Sequence, residues 1–400
     1  MSSSQLPFFR CQWQRQSQLD SHSGSSFLIS LLRGLAALEV TAAHLRAEVF
    51  PGLRELADPP LYYQVLAFVT GFSHHAVIIF FLISGWLVGG SLLNKLGQPG
   101  AIKSYAIDRA TRLWMVLLPA LFIMLAIGSV TGVVSPARSD FSAANEYSVA
   151  SFAGNLLGLQ TILVDPFAGN YALWSLANET WYYLQFPLLL LVFTGKTWLR
   201  QVGAATVLVL LGAALPLPIT LYFALWLLGA AFSRIRIDCA TVWRVALLLL
   251  ALVFTFHSRL VLSIDDLKLE SFLPHLTYSL PLLALLASMH GPIDLASGWR
   301  RGMARMTHLL SEFSFTLYVL HVPLIDLLRH IGLRAFGRNR LAADAPLDYA
   351  IYFGILLALL LLSYCAYLLF ESHTFRVRRL VKNALQPGYK RPRIASASLK

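Results

Sequence analysis

R-G-L-A-A-L-E-V-T-A-A-H, from Arg33 to His44, lies inside an otherwise apolar segment that runs from Phe27 to Phe50. Read as one helix across a bilayer, it places Arg33, Glu39 and His44 where hydrocarbon belongs. Each ionisable group there costs roughly 2.5–3.5 kcal/mol on insertion scales, and more when it faces lipid. A span that keeps three of them turns them toward other protein. At about 1.5 Å of rise per residue, Arg33 and His44 are roughly 16 Å apart along the axis, about half a hydrocarbon core. One helix thus joins a guanidinium near one membrane face to an imidazole well toward the other. The same residues also suit a purely structural part, with an Arg–Glu pair joining helices and a His closing a helix end.

Composition sets the class around this segment. Of the 400 residues, 57% are apolar and 13% charged, against about a quarter charged in soluble domains. The composition excludes an ordinary soluble domain and implies an all-α, polytopic membrane helical bundle. The residues before Phe27 are rich in Ser and Gln, carry Arg10 and Arg15, and lack a small-residue cleavage site after a short apolar core. Residues 1–26 therefore read as a disordered cytoplasmic tail without a cleaved signal peptide. Residues 27–371 read as one transmembrane domain, and 372–400 as a basic cytoplasmic tail containing Pro387 and Pro392. No soluble domain is expected at either end. Cys11, Cys239 and Cys365 are scattered and show neither disulfide nor metal spacing.

Ten apolar stretches approach or reach spanning length: Phe27–Glu48, Gln64–Leu93, Leu113–Val134, Leu173–Phe193, Val202–Leu215, Ile219–Phe232, Trp243–His257, Phe272–Met289, Leu309–His330 and Tyr349–Phe370. The break at Pro216 and Pro218 fits either two short spans or one re-entrant hairpin. With the N-terminus inside, the inner segments hold 22 Lys and Arg and the outer loops seven. Cytoplasmic loops carry such an excess, so ten spans with both termini in the cytoplasm are expected. The net charge of +12 is then accounted for by anionic headgroups rather than nucleic acid.

Local motifs fall on this topology. In F-F-L-I-S-G-W, Phe80 to Trp86, Ser84 and Gly85 offer a small surface to which another helix can come close. His74 and His75, in the same span, point to different sides, so one of them at most faces a cavity. D-R-A-T-R, Asp108 to Arg112, begins the third span at the cytoplasmic face. Arg109 and Arg112, three apart, share a helix side and suit either a phosphate group or lipid headgroups. In L-W-S-L-A-N-E-T-W, Leu173 to Trp181, Glu179 lies some two turns in, at a depth comparable with His44. Such a carboxylate and imidazole serve as an acid–base pair or as a buried hydrogen-bonded pair without chemistry. In S-F-T-L-Y-V-L-H-V-P, His321 stands two residues before Pro323 and is expected to bond carbonyls which the proline frees. F-E-S-H-T-F-R, Phe370 to Arg376, closes the tenth span.

Taken together, R-G-L-A-A-L with His44, F-F-L-I-S-G-W, the Arg109 and Arg112 pair, L-W-S-L-A-N-E, L-Y-V-L-H-V-P and F-E-S-H-T-F-R occur in the order and rough spacing of the acyltransferase family 3 group. The resemblance covers Leu31 to Arg379. This chain departs from the family pattern where Thr180, rather than a second acidic residue, follows Glu179. It departs again where His373 and Thr374 replace a common Pro.

The resemblance implies an integral membrane O-acyltransferase of the inner membrane. It would move an acyl group, usually acetyl, from cytosolic acyl-CoA to a hydroxyl of an envelope or extracellular carbohydrate. Arg109 and Arg112, with Ser84 beside them, would serve the donor, and Arg33 would be a deeper neighbour. His44, oriented by Glu179 or Glu48, would be general base on the acceptor or a transient acyl carrier. Glu48, His74, His75, Trp174, Ser175, His321 and Glu371 are the further substrate-contacting or structural candidates. No metal is expected. Two other readings stay open: a small-molecule or lipid acceptor, and a proton-coupled transporter, although the two halves show no internal repeat.

Overall fold

The structure, a computed structural model, describes residues 9–17, 19–20, 22–134, 146–261, 268–293 and 297–385. Arg138 of the outer-loop count and the tail beyond Leu385 fall outside the described residues. Strand β1 (Phe9–Trp13) leads to α1 (Gly24–Val49), which starts where the Ser23 hydroxyl accepts from the Ser26 amide. Next come α2 (Leu61–Val69), α3 (Ser73–Ser84), a π-wound turn over Gly85–Gly89, and α4 (Gly90–Asn94). The sequence then forms α5 (Ala101–Thr131), α6 (Val149–Leu156), α7 (Trp174–Thr194), α8 (Trp198–Ala214) and α9 (Leu217–Phe232). Strand β2 (Ile235–Cys239) precedes α10 (Thr241–Val261), α11 (Leu269–Ser288), α12 (Gly298–Glu312), α13 (Ser314–Phe336), α14 (Pro346–Leu369) and α15 (Thr374–Leu385).

Among the described residues, seven helical segments are long and apolar enough to cross a membrane. The apolar helices α8 and α9 are shorter, about 25 Å each. With α7, these helices fall on the ten stretches read from the sequence. Pro216 and Pro218 separate α8 from α9, and Pro218 sits in the first turn of α9, where a missing N–H breaks no helical bond.

Four expectations are corrected. The N-terminal tail is not structureless throughout, because β1 pairs antiparallel with β2, Phe9 opposite Cys239, and its backbone groups find a ladder there. The second span is broken between α2 and α3, and the released Phe72 amide donates to Glu39 Oε1 at 2.8 Å. The third helix starts twelve residues before Leu113, at Ala101, because Asp108 and Arg112 find ionic partners there and Lys103 donates to the Leu385 carbonyl. The ninth stretch divides at Phe313 into α12 and α13; Arg300, Arg301 and Arg305 fall on α12, apart from the apolar span.

Two helix contacts place the site. An added Cβ on Gly85 would lie 1.9 Å from the Trp226 carbonyl oxygen, and one on Gly229 would lie 2.1 Å from that of Leu82. Thus α9 crosses the end of α3 backbone to backbone, the close approach that the Ser84–Gly85 pair suggested. Helices α1 and α13 run side by side in the same direction. Arg33 Nη2 donates to Ser314 Oγ at 3.1 Å, His44 meets His321, and Arg329 Nη1 donates to Glu48 Oε2 at 2.6 Å.

Candidate active site

One cavity, of about 160 Å³, opens among α1, α3, α5, α7 and α13. Its polar wall is Arg33, Ser84, Arg109, Arg112, Ser175, Glu179, Tyr183, Ser314 and Tyr318. Phe80, Phe81, Leu113 and Phe315 are among its apolar lining. Three guanidinium groups thus face one carboxylate within the lining. Glu179 Oε1 accepts from Tyr183 O–H at 2.5 Å, and that hydroxyl lies 3.3 Å from Ser84 Oγ. Ser84 Oγ also accepts from Trp226 Nε1 at 3.1 Å. The crossing of α9 therefore fixes a hydrogen-bonded row that ends at Glu179.

The arginine pair is not symmetrical. Arg112 Nη1 stands 2.6 Å from Glu371 Oε1, while Glu371 Oε2 accepts from the Thr316 amide at 3.2 Å and the Thr316 hydroxyl at 2.5 Å. Glu371, just after α14, thereby ties α5 to α13. Arg109 makes no ion pair with a described residue, and its Nε is buried without a hydrogen-bond partner. Its guanidinium lies 5.7 Å from the Tyr183 ring centre and 6.0 Å from that of Tyr105. Stacked on aromatic faces, Arg109 is the member of the pair that has no carboxylate partner among the described residues.

His44 is not part of that lining. Its Nδ1 lies 2.8 Å from His321 Nε2, and His321 Nδ1 lies 2.7 Å from the Tyr318 carbonyl oxygen and 3.3 Å from that of Leu317. A carbonyl only accepts, so in neutral rings His321 Nδ1 carries the proton and its Nε2 accepts from His44 Nδ1–H. The hydrogen bonds therefore assign the bare lone pair to His44 Nε2. His321 is fully buried and His44 half-buried. A neutral imidazole with one nitrogen held as donor and the other bare is a base with a defined direction.

The expectation that Glu179 or Glu48 orients His44 does not hold. The edge of Tyr171, three residues before α7, packs against the His44 ring at 5.0 Å between centroids. Glu179 is eight residues further on, roughly 12 Å of helical rise. Because α7 begins inside the bundle, level with His44, upright-helix depths misplace Glu179. Glu48 is taken up by Arg329.

His321 bonds carbonyls, as expected, but not the one which Pro323 deprives of its donor. That is Val319 O, four residues earlier, and it accepts from Asn170 Nδ2 at 2.9 Å. Two more bonds seat the same turn on α13: Tyr318 O–H donates to Ala172 O at 3.1 Å, and Ser175 Oγ lies 2.6 Å from Tyr318 Oη. The proline gap thus anchors the loop that presents Tyr171 to His44. Tyr318 joins the two regions, since its side chain lines the cavity and its carbonyl holds His321.

The remaining candidates lie elsewhere. His74 and Trp174 stack with ring centres 6.2 Å apart, and Trp174 packs edge-on to Phe81. His75 Nε2 is 2.6 Å from Ser258 Oγ, in a separate buried group with His275, Tyr222 and Tyr278. Sequence reasoning missed Tyr183, Tyr318 and Asn170. The first stands at helical spacing from Glu179 and was detectable; Asn170 sits in an irregular turn and gave no signal.

No curated protein and no solved structure matches the chain. The sequence model of the family described as Acyltransferase domain, acyltransferase family 3, matches residues 28–371, from Leu28, in the second turn of α1, to Glu371. The chain belongs to acyltransferase family 3 and is a membrane acyltransferase.

Proposed function

We propose that the protein transfers an acyl group, acetyl in the simplest case, from cytosolic acyl-CoA to a hydroxyl of an envelope or extracellular carbohydrate. The observation that carries this reading is the chain from Tyr318 O through His321 to His44, which leaves His44 Nε2 as a directed base. The arginine-rich cavity one step away supports it. At about 160 Å³, the cavity is smaller than the roughly 300–1,000 Å³ that encloses a drug-sized ligand. The donor's arm passes through it toward His44, and the pyrophosphate stays at the rim beside Arg109.

In the reaction, the acceptor hydroxyl gives its proton to His44 Nε2 as its oxygen attacks the thioester carbonyl. The C–S bond then breaks, and the departing thiolate takes the proton back as CoA thiol. His321 holds the ring and shares the charge that forms on it. Arg33, bonded to Ser314, supplies positive charge at the inner end of the path.

The loop charges support a cytoplasmic-membrane protein with both termini inside; His44, toward the outer end of α1, then suits an acceptor approaching from outside. A single cysteine at Gly337 should then react with an impermeant thiol reagent in intact cells, and one at Lys95 should not. The activity itself is tested with purified protein in detergent: acetyl-CoA should release free thiol only when a hydroxyl acceptor is added. Thiol release independent of acceptor, or none with any hydroxyl compound, contradicts the proposal; a transporter gives none.

A further inference from the structure

One turn before Arg112 on α5, Asp108 is nearly buried and gathers three cations. Lys382 Nζ lies 2.6 Å from Oδ1, Arg378 Nε 3.5 Å from the same oxygen, and Lys95 Nζ 3.5 Å from Oδ2. None of the four lines the cavity; Asp108 directly precedes Arg109 on α5, and Arg378 is within electrostatic range of Arg109 and Arg112. One carboxylate shared by three cations leaves a positive excess, and Arg109 beside it has no carboxylate of its own among the described residues.

The helix that brings two of these cations is turned against the usual rule. Thr374, Val377, Arg378, Val381 and Lys382, at helical spacing, form the side of α15 turned toward the protein. Phe375, Leu380 and Leu385 are 79%, 60% and 52% exposed. A helix on a soluble protein does the reverse, whereas one lying at a bilayer surface can give its apolar side chains to lipid. Lys382 Nζ also donates to Ser104 Oγ at 2.9 Å, and Lys103 Nζ donates to Leu385 O at 2.7 Å, so α15 is fastened along the first turns of α5.

We propose that Lys95, Arg378 and Lys382 form an outer anion subsite, closed over α5 by α15, that takes the ribose 3′-phosphate of a CoA donor. The inference rests on the donor reading above and extends it to the nucleotide end. Along CoA, the order from the thioester is pantetheine, pyrophosphate, then the 3′-phosphorylated ribose. A thioester beside His44, reached through the cavity, with pyrophosphate at Arg109 therefore sends the 3′-phosphate outward, toward these cations. A phosphate monoester carries about −1.5 to −2 charges near pH 7, which matches the excess. Asp108 keeps the three side chains gathered until the phosphate arrives.

The test is the affinity of the full-length protein, in detergent without anionic lipid, for CoA and for 3′-dephospho-CoA. The wild type should bind CoA roughly tenfold or more tightly, the factor for one lost charge-assisted bond. Arg378→Gln with Lys382→Gln should erase the preference by weakening CoA alone. Equal wild-type affinity for the two, or parallel loss of both in the double variant, overturns the subsite and leaves α15 a structural or headgroup-binding helix. Phosphatidic acid displacing 3′-dephospho-CoA as readily as CoA also overturns it. Failure of the wild type to bind either nucleotide defeats the donor reading itself.

Discussion

His44 Nδ1 and His321 Nε2 are 2.8 Å apart, and the second ring is held in turn by the carbonyl oxygen of Tyr318 at 2.7 Å. Two histidines 277 residues apart in sequence thus act as one unit, in which only the first has a nitrogen left for a substrate. His321→Ala should lower kcat roughly tenfold to a hundredfold, below the about 10²–10⁴ of a general base itself. KM for the donor should stay unchanged, because the arginines proposed for the donor's phosphates line a cavity that His321 does not. A rise in donor KM with kcat preserved would remove His321 from the positioning of His44.

Asn170 closes the gap left by Pro323. Asn170→Ala should leave Val319 O without a partner and cost about 1–3 kcal/mol, the price of a buried unpaired acceptor. It should also lower kcat, because the turn that carries Tyr171 loses its fastening to α13. Thermal unfolding in detergent and a turnover assay measure the two effects together. Full stability in the variant would show that the carbonyl has another partner.

Much of this architecture can be read in the chain and some of it cannot, for reasons tied to particular residues. The span positions follow from apolar length, and the small pair at Ser84 and Gly85 marks the crossing by α9. Arg33, Arg109, Arg112, Ser84 and Glu179 all stand on one cavity wall; each is an ionisable or small polar group inside an apolar span or at its start. What the chain hides is the partner of each. The depth of Glu179 depends on where α7 begins, and an irregular turn decides that. The N-terminal strand is equally hidden, since its pairing partner β2 is more than 200 residues away in sequence.

Arg109 and Arg112 should separate by experiment. Arg112→Ala strands the buried Glu371 carboxylate, and breaking such a pair costs about 3–5 kcal/mol; this variant should unfold at lower temperature. Arg109→Ala removes a cation with no ionic partner among the described residues. It should keep its unfolding temperature while weakening acetyl-CoA binding about tenfold. Equal stability loss in both variants would contradict the assigned division between structural and donor-facing arginine.

The central claim is that His44 Nε2 takes the acceptor's proton. The direct measurement is acyl transfer by purified His44→Ala with a defined hydroxyl acceptor, alongside its affinity for acetyl-CoA. The account predicts that transfer is lost while donor affinity stays close to wild type, because Arg109 lies apart from His44, in the cavity lining that His44 does not share. Wild-type turnover in His44→Ala would contradict the mechanism, whatever its acceptor.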